Sequence, residues 1–362
     1  MSVFDLRPRL AEADAVTVSD SPLTAIDVHA HLVPPGLLDV VQAGEFPGLA
    51  VAEAGDQPVL TAGADRVGPA GAGITDVAGR LRWMDDHSIA QQWISPWIDL
   101  VSWHVFEPID GRRWARAVNE ALGDSVGGSS GRLRLVPAVD LSAGPAAAAH
   151  DVTSLAERFG SPAVLLSTHP AGTKSVADES LGPLWARLAD LGLPVLLHPP
   201  GNGPSREFIP PVLQNVAGRL IDTSSAVLQL MAGGLFERHP GLRVIVVHGG
   251  GLLPYHASRL DGLVRAGLLP RTKMTEAPSV ILRRLFFDTV TLDPLSLEFL
   301  VRRVGAGQVL LGSDVPFPIA DPDPVGTVRS ADLSPGTKRG ICCDNARALA
   351  WRACGGEQRP SS

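Results

Sequence analysis

Short apolar runs recur along this chain, each separated from the next by enough residues for one helix. Three of them, Val164-Leu165-Leu166, Val195-Leu196-Leu197 and Val244-Ile245-Val246-Val247, are apolar at every position. A strand with one wet face alternates apolar and polar residues, whereas a strand apolar throughout is covered on both faces. Such strands belong to a parallel sheet sheathed by helices. The runs at 24–31, 89–98, 132–141, 162–169, 194–199, 243–249, 285–292 and 308–314 read as eight strands. Helical periodicity follows them at about 79–88, 110–128, 145–160, 180–193, 224–240, 252–267, 293–306 and 335–351. Asp293-Pro294 reads as an N-cap with Pro at the first helical position, and Gly192 and Gly241 read as helix stops. Eight strand–helix units predict an α/β fold, a (β/α)8 TIM barrel. A doubly wound open sheet is the alternative. It calls for a Gly-rich phosphate loop after the first strand, where His29-Ala30-His31-Leu32-Val33-Pro34-Pro35 stands instead.

Residues 33–78 interrupt this rhythm. They are rich in Gly, Ala and Pro, show no long helical pattern, and form a connection of the length that tends to carry function. The segment reads as an insertion over the barrel mouth containing a small hairpin. The domain reading is an N-terminal arm at 1–23, the barrel at 24–351 and a C-terminal tail at 352–362. A net charge of -7 over 362 residues argues against nucleic acid or an anionic membrane as the main partner. The start of the chain has no continuous apolar stretch of the kind a secretory leader needs, and no run of about 18 apolar residues occurs. Cys342, Cys343 and Cys354 are odd in number and lack a Cys-x-x-Cys spacing, which fits thiols on a last helix in a reducing cytoplasm.

In barrels of this kind the chemistry gathers at the C-terminal ends of the strands. The first run ends in His29 and His31, two residues apart and therefore on one face of a strand. The fifth ends in His198, the sixth in His248 and the eighth in Asp314. One His-x-His pair is a weak signal, but polar residues closing four otherwise apolar runs at one depth form a strong one. Three imidazoles and a carboxylate fill most of a Zn2+ coordination sphere and leave room for water or substrate. The fourth histidine serves as an additional ligand or as a proton carrier. Trp97 supplies an aromatic wall or ordinary packing, as do Trp93, Trp103 and Phe106. His169 closes the fourth run, within reach of substrate, and Asp27 and Asp288 are candidates for orienting the ligand imidazoles.

These residues carry a resemblance. Ile26-Asp27-Val28-His29-Ala30-His31, Met84-Asp85, Leu235-Phe236-Glu237-Arg238-His239-Pro240, His248-Gly249-Gly250-Gly251, Phe287-Asp288-Thr289 and Gly312-Ser313-Asp314-Val315-Pro316-Phe317-Pro318 resemble the amidohydrolase superfamily. Within it they are similar to the branch of aminocarboxymuconate-semialdehyde decarboxylase, over about residues 24–351. The resemblance implies that His29, His31, His198 and Asp314 bind one divalent metal, Zn2+ or Mn2+, and that His248 transfers protons beside it. It implies that Arg259 binds a substrate carboxylate across a homodimer interface, with Arg66 the nearest counterpart of a second such arginine. Two-metal relatives place a carboxylated lysine after the fourth strand; here Ser167-Thr168-His169-Pro170 has none, and Lys174 lies further on. The element His198-Pro199-Pro200 departs from the His-Pro-Trp of many decarboxylases, and both it and the 33–78 insertion bear on substrate identity.

The expected function is non-oxidative decarboxylation of a small conjugated or aromatic carboxylic acid. A bound metal acts as a Lewis acid on a substrate oxygen, and His248 and Asp314 move the proton. Trp97, His169 and Phe317 join Arg259 and Arg66 as candidate substrate contacts. Hydrolysis of a lactone or hydration of an unsaturated diacid is the alternative on the same scaffold, and a barrel that binds without catalysing is the third reading.

Overall fold

In the computed structural model the described residues are 24–351, without 55–56, 64, 70–71, 102–109, 171–174, 202, 269–273 and 275; the side chains at 54, 57, 65–69 and 72 also fall outside the description. The expected arm at 1–23 and tail at 352–362 therefore lie outside the described residues, as do Trp103, His104, Phe106, Lys174 and Cys354.

Two parallel sheets form the frame. One holds β1 (Ala25–Leu32), β5 (Ile89–Pro96) and β6 (Leu133–Leu135) in that order. The other holds β7 (Val164–Ser167), β8 (Val195–His198), β9 (Val244–Val246), β10 (Phe286–Asp288) and β11 (Val309–Leu310), each beside its successor. Successive strands are neighbours throughout, without the reversal of order that a doubly wound sheet requires. The sheets meet at two seams. At one, Ala138 bridges Leu165, and the Leu165 amide donates to the Pro137 carbonyl at 2.8 Å. At the other, Ala30 bridges Val315, and the Val28 amide donates to the Leu311 carbonyl at 2.8 Å.

Burial explains the apolar runs. In β7, β8 and β9, Leu165, Leu196 and Ile245 pack into an inner cluster with Val28 and Leu310. Their neighbours Val164, Leu166, Val195, Leu197, Val244 and Val246 pack outward into a second cluster with helix residues such as Leu188, Val227 and Leu300. Each fully buried side chain of this kind contributes about 1.5–3 kcal/mol of transfer free energy.

Helix boundaries follow local chemistry. Asp293 accepts the Ser296 amide at 2.8 Å and is followed by Pro294, which opens the helix Pro294–Val304. Gly192 takes a left-handed conformation at the end of Gly182–Leu191. The expected helix at 224–240 is corrected: it starts earlier, as Arg219–Ala232, and breaks before the short turn Leu235–Arg238. Gly234, at φ 68°, makes the left-handed break, and Gly241 has no such role.

Residues 33–78 are more structured than one hairpin. The helix Pro35–Gln42 leads into an antiparallel sheet of β2 (Leu49–Ala54), β3 (Gln57–Ala62) and β4 (Asp65–Pro69). Phe46 and Leu60 are buried in the inner cluster with Val28, Trp93 and Trp114, so this unit shares its core with β1 and β5. Among the described residues no helix is long and apolar enough to cross a membrane.

Candidate metal centre

The first strand does not present its histidines by simple alternation. Asp27 pairs with Gln92 and Ala30 with Ile94, so β1 carries one extra residue between them. Such a bulge re-aims the side chains beyond it. His29 and His31 are both fully buried, and their Nε2 atoms lie 3.0 Å apart.

The partners of the other ring nitrogens decide what those Nε2 atoms are. His29 Nδ1 is 2.6 Å from Asp288 Oδ2, and His198 Nδ1 is 2.9 Å from the Pro199 carbonyl. His31 Nδ1 faces the Pro96 carbonyl at 3.4 Å and Ser95 Oγ at 3.0 Å. Carboxylates and carbonyls only accept, so each Nδ1–H donates and each Nε2 keeps a lone pair. Asp314 Oδ1 completes the set, 3.4 Å from His29 Nε2 and 3.2 Å from His31 Nε2. Among the described residues, His198 Nε2 and Asp314 Oδ1 are buried without a hydrogen-bond partner. One ligand atom from each of His29, His31, His198 and Asp314 lies within 4.8 Å of the others. Lone pairs converging in a dry site repel unless a cation stands between them, so the donor set fits one divalent metal.

Ionisation agrees. Burial pulls His31 down to about 4. Burial, reinforced by His31 and His29, holds His198 well below the ordinary imidazole value. Burial alone would raise Asp314, but His29, His248 and His31 outweigh it and hold the carboxyl well below its usual range. Burial likewise opposes protonation of His29, yet Asp314 and Asp288 outweigh it and raise its pKa. Ligands must be deprotonated to bind metal, and His31, His198 and Asp314 are already so at neutral pH.

Asp314 and His248 are both held at positive φ, 64° and 56°. Few residues other than glycine adopt that conformation, and here it turns both side chains toward the same point. Asp314 Oδ2 lies 3.4 Å from His248 Nε2. One carboxylate thus faces the ligand cluster with Oδ1 and His248 with Oδ2. His248 itself stands outside the four-ligand cluster. The glycines after it are steric necessities. Gly251 has φ 62°, and a Cβ there would lie 2.7 Å from the Leu220 carbonyl oxygen. Gly251→Ala is expected to destabilise the protein by about 1–3 kcal/mol, the cost of a positive-φ backbone (φ 62°, ψ -123°) that side chains other than glycine avoid, read as a lower midpoint in denaturant unfolding.

A second layer fixes these groups. Asp288 takes the His29 ring proton and also accepts the His248 and Gly249 amides at 3.0 and 2.8 Å. It therefore ties β10 to both β1 and the glycine turn. Asp288→Asn is expected to weaken metal affinity about 10–100-fold, measured by competition with a chelator. Asp27 does not touch a ligand ring. It accepts the His29 amide at 3.0 Å, the Ser313 amide at 3.1 Å, Ser313 Oγ at 2.5 Å and Gln92 Nε2 at 2.6 Å. Arg80 extends this network, donating to Gln92 Oε1 at 2.9 Å and to the His31 carbonyl at 3.0 Å. Burial lowers Arg80 only to about 10, so it stays cationic near Asp27. Gln92, Arg80, Ser95 and Ser313 were not singled out by the sequence. The available signals were a glutamine inside an apolar strand and an arginine on the buried face of a helix.

The centre opens on a cavity of about 780 Å3 whose lining includes His198, His248, Asp314, Trp97 and Phe317. Phe317 lies between Trp97 and His31, with ring centroids 6.3 and 5.2 Å away. The cavity also contains Arg219, a residue the sequence reading did not single out. Its Nη1 donates to the Pro199 carbonyl at 2.8 Å, the oxygen that also takes the His198 ring proton. The other substrate candidates stand elsewhere. Arg259 is exposed on the helix Leu253–Arg265, outside the cavity lining. His169 is half-buried beside Thr168 Oγ1 and also outside it. Arg66 pairs through its backbone with Thr61, and its side chain lies outside the description.

The polar ends of these parallel strands thus gather three histidines and an aspartate that could hold one metal ion. The chain belongs to the amidohydrolase family, whose model matches residues 26–349. It is 29% identical over 193 residues to 2-amino-3-carboxymuconate-6-semialdehyde decarboxylase from Dictyostelium discoideum, covering 52% of this chain and 53% of that protein. It is 29% identical over 192 residues to 6-methylsalicylic acid decarboxylase from Penicillium expansum, covering 51% and 57%. The chain thus spans little more than half the length of these curated relatives. Its fold matches that of a dihydroxybenzoic acid decarboxylase from Polaromonas sp. JS666, solved with bound manganese and 2-nitroresorcinol. The TM-score is 0.72, the identity 21%, and the match covers 90% of this chain and 96% of that one.

Proposed function

We propose that this protein is a metal-dependent, non-oxidative decarboxylase of a small aromatic or conjugated carboxylic acid. The observation that carries the reading is the two-sided placement of Asp314, with Oδ1 among three imidazole lone pairs and Oδ2 against His248, at the floor of a largely apolar cavity. His29, His31, His198 and Asp314 would hold one divalent metal. When bound, that metal supplies a Lewis acid that draws electron density from a substrate oxygen. A nitrogen-rich set with one carboxylate suits Zn2+ first and accepts Mn2+, the ion named for the Polaromonas protein.

The rest of the chemistry falls to side chains. Breaking the carbon–carboxylate bond leaves its electron pair on a ring or chain carbon, which must receive one proton. His248 Nε2 and Asp314 Oδ2, 3.4 Å apart, hold and deliver it from the cavity floor. Trp97 and Phe317 clasp the flat acid. The buried apolar surroundings favour release of neutral CO2 over retention of a carboxylate.

In this reading the two seams close the eight strands into a TIM barrel, and the 33–78 unit covers its mouth. The exposure of Arg259 supports a homodimer in which it reaches a partner's site, with Arg66 and His169 as further contacts to the acid. The free thiols Cys342 and Cys343 support a cytoplasmic setting. The test is incubation of metal-loaded protein with substituted benzoic and muconate-type acids while CO2 is measured. Stoichiometric CO2 is the expected result. Turnover of lactones or unsaturated diacids with no CO2 from any acid would replace decarboxylation by hydrolysis or hydration.

A further inference from the structure

The cavity above the metal centre is larger than a single ring needs. At about 780 Å3 it falls in the upper part of the range that encloses drug-sized ligands. Beyond Trp97 and Phe317, its outer wall is built from the starts of three helices and the turns before them. Val216 comes from the turn into Arg219–Ala232, Leu220 from that helix's first turn, Tyr255 from Leu253–Arg265, and Leu295 and Phe299 from Pro294–Val304. Leu295 and Phe299 are one helical turn apart, so they share a face, and the Tyr255 and Phe299 rings meet at 5.8 Å. Leu295 is 72% and Tyr255 74% exposed, apolar surface that gains by being covered.

Charge points the same way. Arg219 is the single cationic lysine or arginine among the described lining residues, and it is already engaged. Its Nε donates to Asn215 Oδ1 at 2.9 Å, its Nη1 to the Pro199 carbonyl at 2.8 Å, and its Nη2 lies 3.6 Å from Asp99 Oδ2. Among the described lining residues no lysine or arginine is left free to pair with a second carboxylate at the outer wall. We propose that the outer cavity binds an apolar substituent of the substrate, an aromatic acid carrying an alkyl chain or second ring on its outward side. This rests on the decarboxylase reading for its acid end only.

The test uses hydroxybenzoic acids bearing hydrogen, methyl, propyl or pentyl at each open ring position, together with the phenols they yield on losing CO2. For the favoured position, kcat/KM is expected to rise about fourfold per added methylene until the chain reaches the rim, from the transfer free energy of a buried methylene. Calorimetric affinity of the matching phenols should rise in parallel. Leu295→Asp should abolish both increments while its circular dichroism and metal content match the parent's. A flat or falling series overturns the proposal, as does faster turnover of the corresponding diacids. It also falls if Leu295→Asp converts a dimer to monomer and leaves the increments intact, because the rim then belongs to a second copy. If no acid releases CO2 yet phenol affinity climbs with chain length, the decarboxylase reading fails and the apolar subsite stands.

Discussion

His198→Ala is expected to remove metal and turnover together. Among the described residues His198 Nε2 is a buried lone pair with no hydrogen-bond partner, and its Nδ1 donates to the Pro199 carbonyl. Nothing else in the cluster can take its place, because His29 and His31 are committed by Asp288 and by Ser95 and Pro96. The loss of affinity should exceed the roughly 10–100-fold expected for a group that only orients a ligand. Metal analysis of the purified variant should find far less than one equivalent, with activity below detection even after dialysis against metal. A variant that retains stoichiometric metal would show that His198 is not a ligand.

His248→Asn is expected to separate the two properties. The backbone at 248 is left-handed, a conformation asparagine tolerates better than most residues, so the turn should form. The hydrogen bond from the amide of residue 248 to the Asp288 carboxylate uses only the backbone of residue 248 and survives the substitution. Asparagine cannot carry the proton that the proposed reaction assigns to His248 Nε2, 3.4 Å from Asp314 Oδ2. With metal content unchanged, kcat should fall about 10²–10⁴-fold, the usual size of a lost acid–base contribution. Loss of the metal in this variant would make His248 a ligand and reassign the proton to Asp314 alone.

Most of the frame was legible in the chain because its signals are local. The all-apolar runs at 164–166, 195–197 and 244–247 are strands buried on both faces, and Asp293-Pro294 caps the helix it announced. The helix at 224–240 was misjudged for an equally local reason: apolar periodicity continues through Gly233-Gly234, and the backbone reversal there carries no hydrophobic signature. Residues 33–78 have weak periodicity because their strands bury part of one face against β1 and β5, so a three-stranded sheet registered only as a hairpin.

By itself the sequence determined which residues could be metal ligands. Histidines and an aspartate that end runs otherwise required to be apolar are costly there unless they serve a polar centre, and that cost is written in the run itself. Only the tertiary structure decided what each one does. The bulge in β1, the left-handed backbone at His248 and Asp314, and the Asp288 contact 259 residues away from His29 set tautomers and directions. The same holds for Asp27 reaching Ser313 across 286 residues, for Arg219 entering the cavity and for Arg259 standing outside it. Periodicity reports which face of an element is buried. Hydrogen-bond partners are chosen between elements, by distances that exist only once the strands are side by side.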